Sequence, residues 1–231
     1  MASLPTLAVR RHVPRPSATL VAAIAQASTG WIVDANGRRG ALANGIRPLT
    51  RNTSFCGPAY TVRTRARDNL AAWAALAYAK PGDVLVIATD EYAESSVIGD
   101  AFVGMARNLG IAAIVTDGMV RDLAGIDATG MPVCARGLNP NSPHKDGPGE
   151  LGTEIAIGGT LVRSGDIIRG DADGVVVVSA DRTDAVVYEL GKVQDKEKLM
   201  DSWVNDGLKA PPWLQAALGD GAVIFLDEAK T

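Results

Sequence analysis

Two short aliphatic runs, Val84–Ala88 and residues 111–115, flank a helically spaced segment, residues 97–109, that Gly110 terminates. Runs of this length and β-branched content suit strands buried on both faces, and a strand, helix, strand succession is the unit of a parallel sheet. Because such crossovers are right-handed, the two strands run parallel and the loops leaving them open on one edge. Those loops bring Gly99-Asp100 and Arg121-Asp122 to a common edge, although residues 101–120 separate the two pairs.

The chemistry of the four residues is complementary. Gly99 precedes most of the expected helix, so the backbone N–H groups of Asp100, Ala101, Phe102 and Val103 are read as donors without helical partners, at the positive end of the helix dipole. A substrate carboxylate placed there gains those donors, and glycine allows close approach. Arg121 presents a planar fork to a carboxylate or an enolate oxygen, through charge-assisted bonds worth about 1.5–3 kcal/mol each when shielded from water. Asp122 is a hard oxygen ligand suited to Mg²⁺ or Mn²⁺, ions that need only one or two protein carboxylates, and Asp100 would lie near such a cation or its water.

Other site classes find little support. The chain has no P-loop, GxGxxG or HExxH motif, and its two histidines, His12 and His144, cannot build a His-rich metal centre. Cys56 and Cys134, without CxxC spacing, read as buried apolar residues rather than a disulfide or zinc site. A net charge of −3 argues against a nucleic-acid partner. No apolar run approaches the ~20 residues of a membrane span.

With 47% apolar residues among 231, the chain can bury one substantial core with appendages. Ser17 is a plausible N-cap for a helix that places Leu20, Ile24 and Ala27 on one face and ends at Gly30, with residues 34–38 as a polar turn. Residues 59–65 alternate as a strand, residues 69–80 read as a helix, and Pro81-Gly82-Asp83 as a turn. The second half changes to short strands between Gly-rich turns, with a long loop at residues 139–152 of a kind often functional. A charged helical stretch, residues 181–205, and a short helix after Pro211-Pro212 close the pattern. The Arg-rich segment before Asp34 has the composition of a transit peptide, but Pro5, Pro14 and Pro16 spoil an amphipathic helix, so a short arm and a cytoplasmic protein are expected.

On these motifs the chain resembles the RraA-like family, within it the branch of class II 4-hydroxy-4-methyl-2-oxoglutarate / 4-carboxy-4-hydroxy-2-oxoadipate aldolases. The likeness spans residues 17–178 and rests on Gly99-Asp100 and Arg121-Asp122, supported by residues 34–38, 81–86, 164–168 and 171–175. It implies an α/β fold, an α/β/β/α swivelling domain over residues 17–180, behind an arm of residues 1–16 and before a C-terminal helical extension of residues 181–231. It also implies a homotrimer, or a hexamer of paired trimers, with active sites between subunits.

In the roles the resemblance carries over, Asp122 binds a divalent cation, Arg121 stabilises a pyruvate enolate, and Asp100 orients metal-bound water. Gly99 and the amides of Ala101, Phe102 and Val103 would hold the pyruvyl carboxylate, Asp34 would take part in proton transfer, and Glu197 is the nearest match to an acidic residue lent by a C-terminal helix to the adjacent site. The implied reaction is retro-aldol cleavage of a 4-hydroxy-2-oxo acid to pyruvate and an oxo-acid, with oxaloacetate decarboxylation on the side. The family's regulatory branch, which inhibits an endoribonuclease, is shorter and lacks Asp after the Arg. Residues 141–150 depart from the best-studied aldolases, which leaves the acceptor half of the substrate open.

Overall fold

The computed structural model describes residues 6–219 and 222–224, and the chain divides into two compact units at Leu190/Gly191. In the first unit, β1 (Leu7–Val9), α1 (Ala18–Ala25), α2 (Thr29–Ala35), β2 (Arg47–Pro48) and the long β3 (Phe55–Thr64) lead into α3 (Leu70–Ala75) and β4 (Val84–Ala88). Then come β5 (Ser96–Ile98), α4 (Asp100–Leu109), β6 (Ala113–Thr116), β7 (Met119–Val120), α5 (Leu123–Ala128), β8 (Val133–Ala135) and β9 (Gly137–Leu138). The strands β10 (Gly149–Leu151), β11 (Ile155–Ile157), β12 (Thr160–Val162), β13 (Ile167–Asp171) and β14 (Gly174–Val178) precede α6 (Thr183–Asn205).

The main sheet runs β1-β10-β3-β4-β6-β8-β2, and β4 pairs in parallel with both β3 and β6, as the crossover rule requires. All five residues of β4 are buried. Leu85 and Ile87 face one core with Tyr60, Phe102 and Ile114, while Val84 and Val86 face a second with Phe55, Val115 and Val177. This two-sided burial explains why the strand reads as a continuous aliphatic run instead of an alternation. Helices α3 and α4 supply residues to the first core. The β13–β14 hairpin supplies the second, joining β3 through its first half (Phe55 to Pro58), and α1 and α2 pack on that hairpin. The result is an α/β/β/α arrangement.

Ser17 caps α1, its Oγ accepting from Leu20 N at 3.3 Å, but the helix stops at Ala25, before Gly30. Ser28 caps a second helix by accepting from Trp31 N, and Thr29 is tied through its N and Oγ1 to the Asp171 carboxylate, both at 2.8 Å. Asp34 therefore lies on α2, and the turn falls at Gly37 and Arg38, both with positive φ. The helix expected over residues 69–80 is shorter, α3 ending at Ala75, and the first residues of the segment 97–109 belong to β5.

Within the segment read as an arm, β1 pairs with β10, and Arg15 forms a two-pronged ion pair with the buried Asp83, at 2.9 and 2.7 Å. In the second unit, α6 continues from Gly191 to Asn205 and is followed by α7 (Trp213–Ala217), with Leu199, Val204 and Trp213 exposed. Among the described residues no helix is long and apolar enough to cross a membrane.

Candidate functional site

The two residue pairs meet, but on strands the sequence did not announce. A small parallel sheet, β5-β7-β9, sits beside the main one, with Ser96 opposite Met119 and Ile98 opposite Val120. Arg121 N donates to Ile98 C=O at 3.1 Å, so Gly99-Asp100 and Arg121-Asp122 leave adjacent strand ends side by side. Gly99 is the N-cap of α4, in extended backbone, and Asp122 the N-cap of α5, with φ 59°.

These residues line a cavity of about 100 Å³ together with Ala101, Phe102, Asn69, Trp73, Ser142 and Lys145. Packing around the carboxylates is close. A Cβ on Gly99 would stand 2.5 Å from Asp122 Oδ2, and one on Gly125 of α5 would stand 2.6 Å from Asp100 Oδ2. Arg121 Nε lies 3.3 Å from Asp122 Oδ2 and its Nη1 donates to Ser142 Oγ at 2.6 Å, which leaves the guanidinium braced on two sides.

The amides at the start of α4 are fewer than expected. Val103 N donates to Gly99 C=O at 3.2 Å, closing the first helical hydrogen bond, and Ala101 N donates to Asp100 Oδ1 at 2.6 Å. With Gly99 as the cap, only the first three helical residues keep unpaired amides, so Val103 leaves the donor set. Asp100 already satisfies one of the remaining three with its own carboxylate.

The loop of residues 139–152 is held in place by a chain of polar contacts. Asn139 Nδ2 and Asn141 Nδ2 donate to the carbonyls of Ala93 and Glu94, at 2.8 and 3.0 Å, and Ser96 N donates to Asn141 C=O. Further along, buried Asp68 accepts from the N–H groups of Asp146 and Gly147 at 2.7 and 3.1 Å. Asp117, buried at the end of β6, accepts from Thr89 N, Thr89 Oγ1 and Glu91 N, shaping the turn in which Asp90 and Glu91 both have positive φ. Burial pushes the Asp117 carboxyl above the usual carboxylate range despite those bonds.

Asp34 is not at this cavity. It lies exposed on α2, lining a separate groove of about 520 Å³ with Thr29, Arg47 and Asp173 among others. Glu197 lies on α6 in the second unit. Asn69, Trp73, Ser142 and Lys145 join the cavity as well; the long Pro- and Gly-rich loop signals the last two, whereas nothing in the local pattern marks the first two.

Among the described residues no group of three or more His, Cys, Asp or Glu could hold a metal ion. Asp100 and Asp122 on the cavity are hard oxygen donors of the kind that suit a divalent cation such as Mg²⁺ or Mn²⁺, which keeps water or substrate oxygens in its other positions.

The sequence profile of the RraA-like family, described as Aldolase/RraA, matches residues 21–177. A protein of Halalkalibacterium halodurans with the provisional name 4-hydroxy-4-methyl-2-oxoglutarate aldolase is 37% identical over 169 residues, covering 73% of this chain and 80% of the relative. Among solved structures, an uncharacterized protein from Pseudomonas syringae pv. tomato superposes with a TM-score of 0.75 at 23% identity, covering 88% of this chain and 98% of that one. Streptomyces coelicolor RraAS2, described as an unusual member of the RNase ES inhibitor RraA family, gives 0.72 at 28% identity, covering 81% of this chain and 99% of that one.

Proposed function

The chain belongs to the RraA-like family, and from that premise we propose that it is a divalent-metal-dependent pyruvate aldolase. It cleaves a 4-hydroxy-2-oxo di- or tricarboxylic acid to pyruvate and a second oxo-acid and decarboxylates oxaloacetate through the same enolate. The observation that carries this reading is the meeting of a glycine-headed helix, Arg121 and the carboxylates of Asp100 and Asp122 on one small cavity. The name of the H. halodurans relative supports it.

In retro-aldol cleavage the C4 hydroxyl loses its proton, the C3–C4 bond breaks, and its electron pair becomes the enolate of pyruvate, which is then protonated at C3. The amide end of α4 binds the pyruvyl carboxylate, where the Phe102 N–H precedes the first helical hydrogen bond and has no partner among the described residues. Arg121, oriented by Ser142, faces the developing enolate oxygen, and losing one such donor typically costs on the order of 10²–10³ in rate. Mg²⁺ or Mn²⁺ held by Asp122, with Asp100 alongside, would supply Lewis-acid stabilisation of the same charge. In a homotrimer or hexamer Glu197 would be lent to the adjacent site, and Asp34 would take part in proton transfer. Neither a nucleic acid nor a membrane takes part, and the cytoplasm is the proposed location.

The likeness to RraAS2 favours one rival, a non-catalytic regulator that binds an endoribonuclease. Purified protein with MgCl₂, assayed by coupling pyruvate release to lactate dehydrogenase, separates the two. Pyruvate is expected from both 4-hydroxy-4-methyl-2-oxoglutarate and oxaloacetate; none above the metal-only background from either removes the aldolase.

A further inference from the structure

Two residues that line the cavity each carry a buried polar atom with no hydrogen-bond partner among the described residues: Asn69 Oδ1 and Trp73 Nε1. Asn69 is only 5% exposed, and its amide orientation is decided, because Nδ2 donates to Val97 C=O at 2.9 Å and only the NH₂ group can do so. The oxygen is therefore the free end. Trp73 packs edge-on against Phe102, centroids 5.2 Å apart at 82°, which holds the indole against the first turn of α4. Trp73 N donates to Asn69 C=O at 3.1 Å, so the two side chains leave the chain one helical turn apart, one with an unpaired acceptor and the other with an unpaired donor.

An unsatisfied buried donor or acceptor is costly unless a ligand completes it. A hydroxyl answers both at once, because it donates one hydrogen and accepts another. A carboxylate cannot donate to Asn69, and an ammonium cannot accept from Trp73. We propose that Asn69 and Trp73 form the acceptor-half subsite, with the substrate C4 hydroxyl donating to Asn69 Oδ1 and accepting from Trp73 Nε1. This rests on the aldolase reading and narrows it: the pair selects hydroxy acids over oxo-acids that lack the hydroxyl, such as oxaloacetate.

Trp73→Phe removes the N–H and keeps the ring against Phe102. The ratio of kcat/KM for 4-hydroxy-4-methyl-2-oxoglutarate to that for oxaloacetate is expected to fall about 10-fold in the variant; a ratio within about 2-fold of the parent overturns the subsite. A second measurement needs no turnover. In ¹H–¹⁵N spectra of the full chain with MgCl₂, with the Trp73 indole assigned by its loss in Trp73→Phe, malate carries a hydroxyl beside a carboxylate and succinate differs only in lacking it. Malate is expected to shift the Trp73 indole N–H and succinate to leave it in place. An equal response to the two acids, or none, means that the pair holds only a water and overturns the proposal. If the parent protein releases no pyruvate, the aldolase reading falls, while the indole shift still decides whether the pair binds a hydroxyl.

Discussion

Gly99 lies directly against Asp122: a Cβ built on the glycine would stand 2.5 Å from Asp122 Oδ2 and 3.3 Å from Arg121 Cγ. The backbone of Gly99, at φ −140°, is one that any residue adopts, so the glycine is required by space and not by conformation. Gly99→Ala should therefore fold, since the obstructing oxygen is the free end of a side chain, at a cost under about 1 kcal/mol. The displaced carboxylate should reduce pyruvate release at least about 10-fold. Thermal unfolding and the lactate dehydrogenase-coupled assay check both halves, and full activity would remove Asp122 from the site.

Ser142 is the one described side chain outside the Arg121-Asp122 pair that is hydrogen-bonded to Arg121. Ser142→Ala should leave the fold unchanged and lower kcat/KM several-fold, about what one hydrogen bond to a charged group contributes after discounting for its exposure. Ser142→Thr, which restores a hydroxyl, should recover most of the loss. Equal damage by both substitutions would point to loop packing.

The ion pair of Arg15 and Asp83 is a stability element far along the chain. Asp83 is 1% exposed and accepts both prongs of the guanidinium and Lys80 N. Arg15→Ala strands that carboxylate and should cost about 3 kcal/mol in urea unfolding. Arg15→Lys should rescue little, because an ammonium cannot reproduce the paired geometry.

Burial pushes the thiol of Cys56 up to about 11, against the opposing charge of Arg169, and that of Cys134 up to about 12. Both thiols stay protonated near neutrality, so a disulfide reagent at pH 8 should react slowly with the native chain and promptly with two thiols in denaturant. A folded-state pKa above the unfolded value of 9.0 contributes stability that is complete below that value and is lost as pH rises towards the folded ones. The unfolding free energy should fall between pH 9 and about 12, more steeply than in a variant with both cysteines replaced by alanine.

Much of the frame was readable from residues. Val84–Ala88 is a strand within the boundaries its aliphatic run suggests, and Gly110 ends α4 in the left-handed conformation that its position implies. Helix ends were less legible where a side chain intervenes. Ser28 starts a second helix, through Gly30 and into the expected turn, by offering its Oγ to Trp31 N, and the tie between Thr29 and Asp171 joins residues far apart in the chain, so no local window contains it.

Aliphatic periodicity and the handedness of crossovers determined, without coordinates, that β4 and β6 run parallel, because burial and chirality act on any chain with that pattern, whereas the small sheet β5-β7-β9 that sets Gly99-Asp100 beside Arg121-Asp122 came only with the tertiary structure. Contacts between distant segments decided the remainder of the site: the removal of the Val103 amide from the donor set, the bracing of Arg121 by Ser142, the placing of Asp34 on another groove, and the two unpaired atoms of Asn69 and Trp73. Hydrogen-bond partners and side-chain direction depend on which surfaces meet once the chain is packed, and that information is not local to any stretch of sequence.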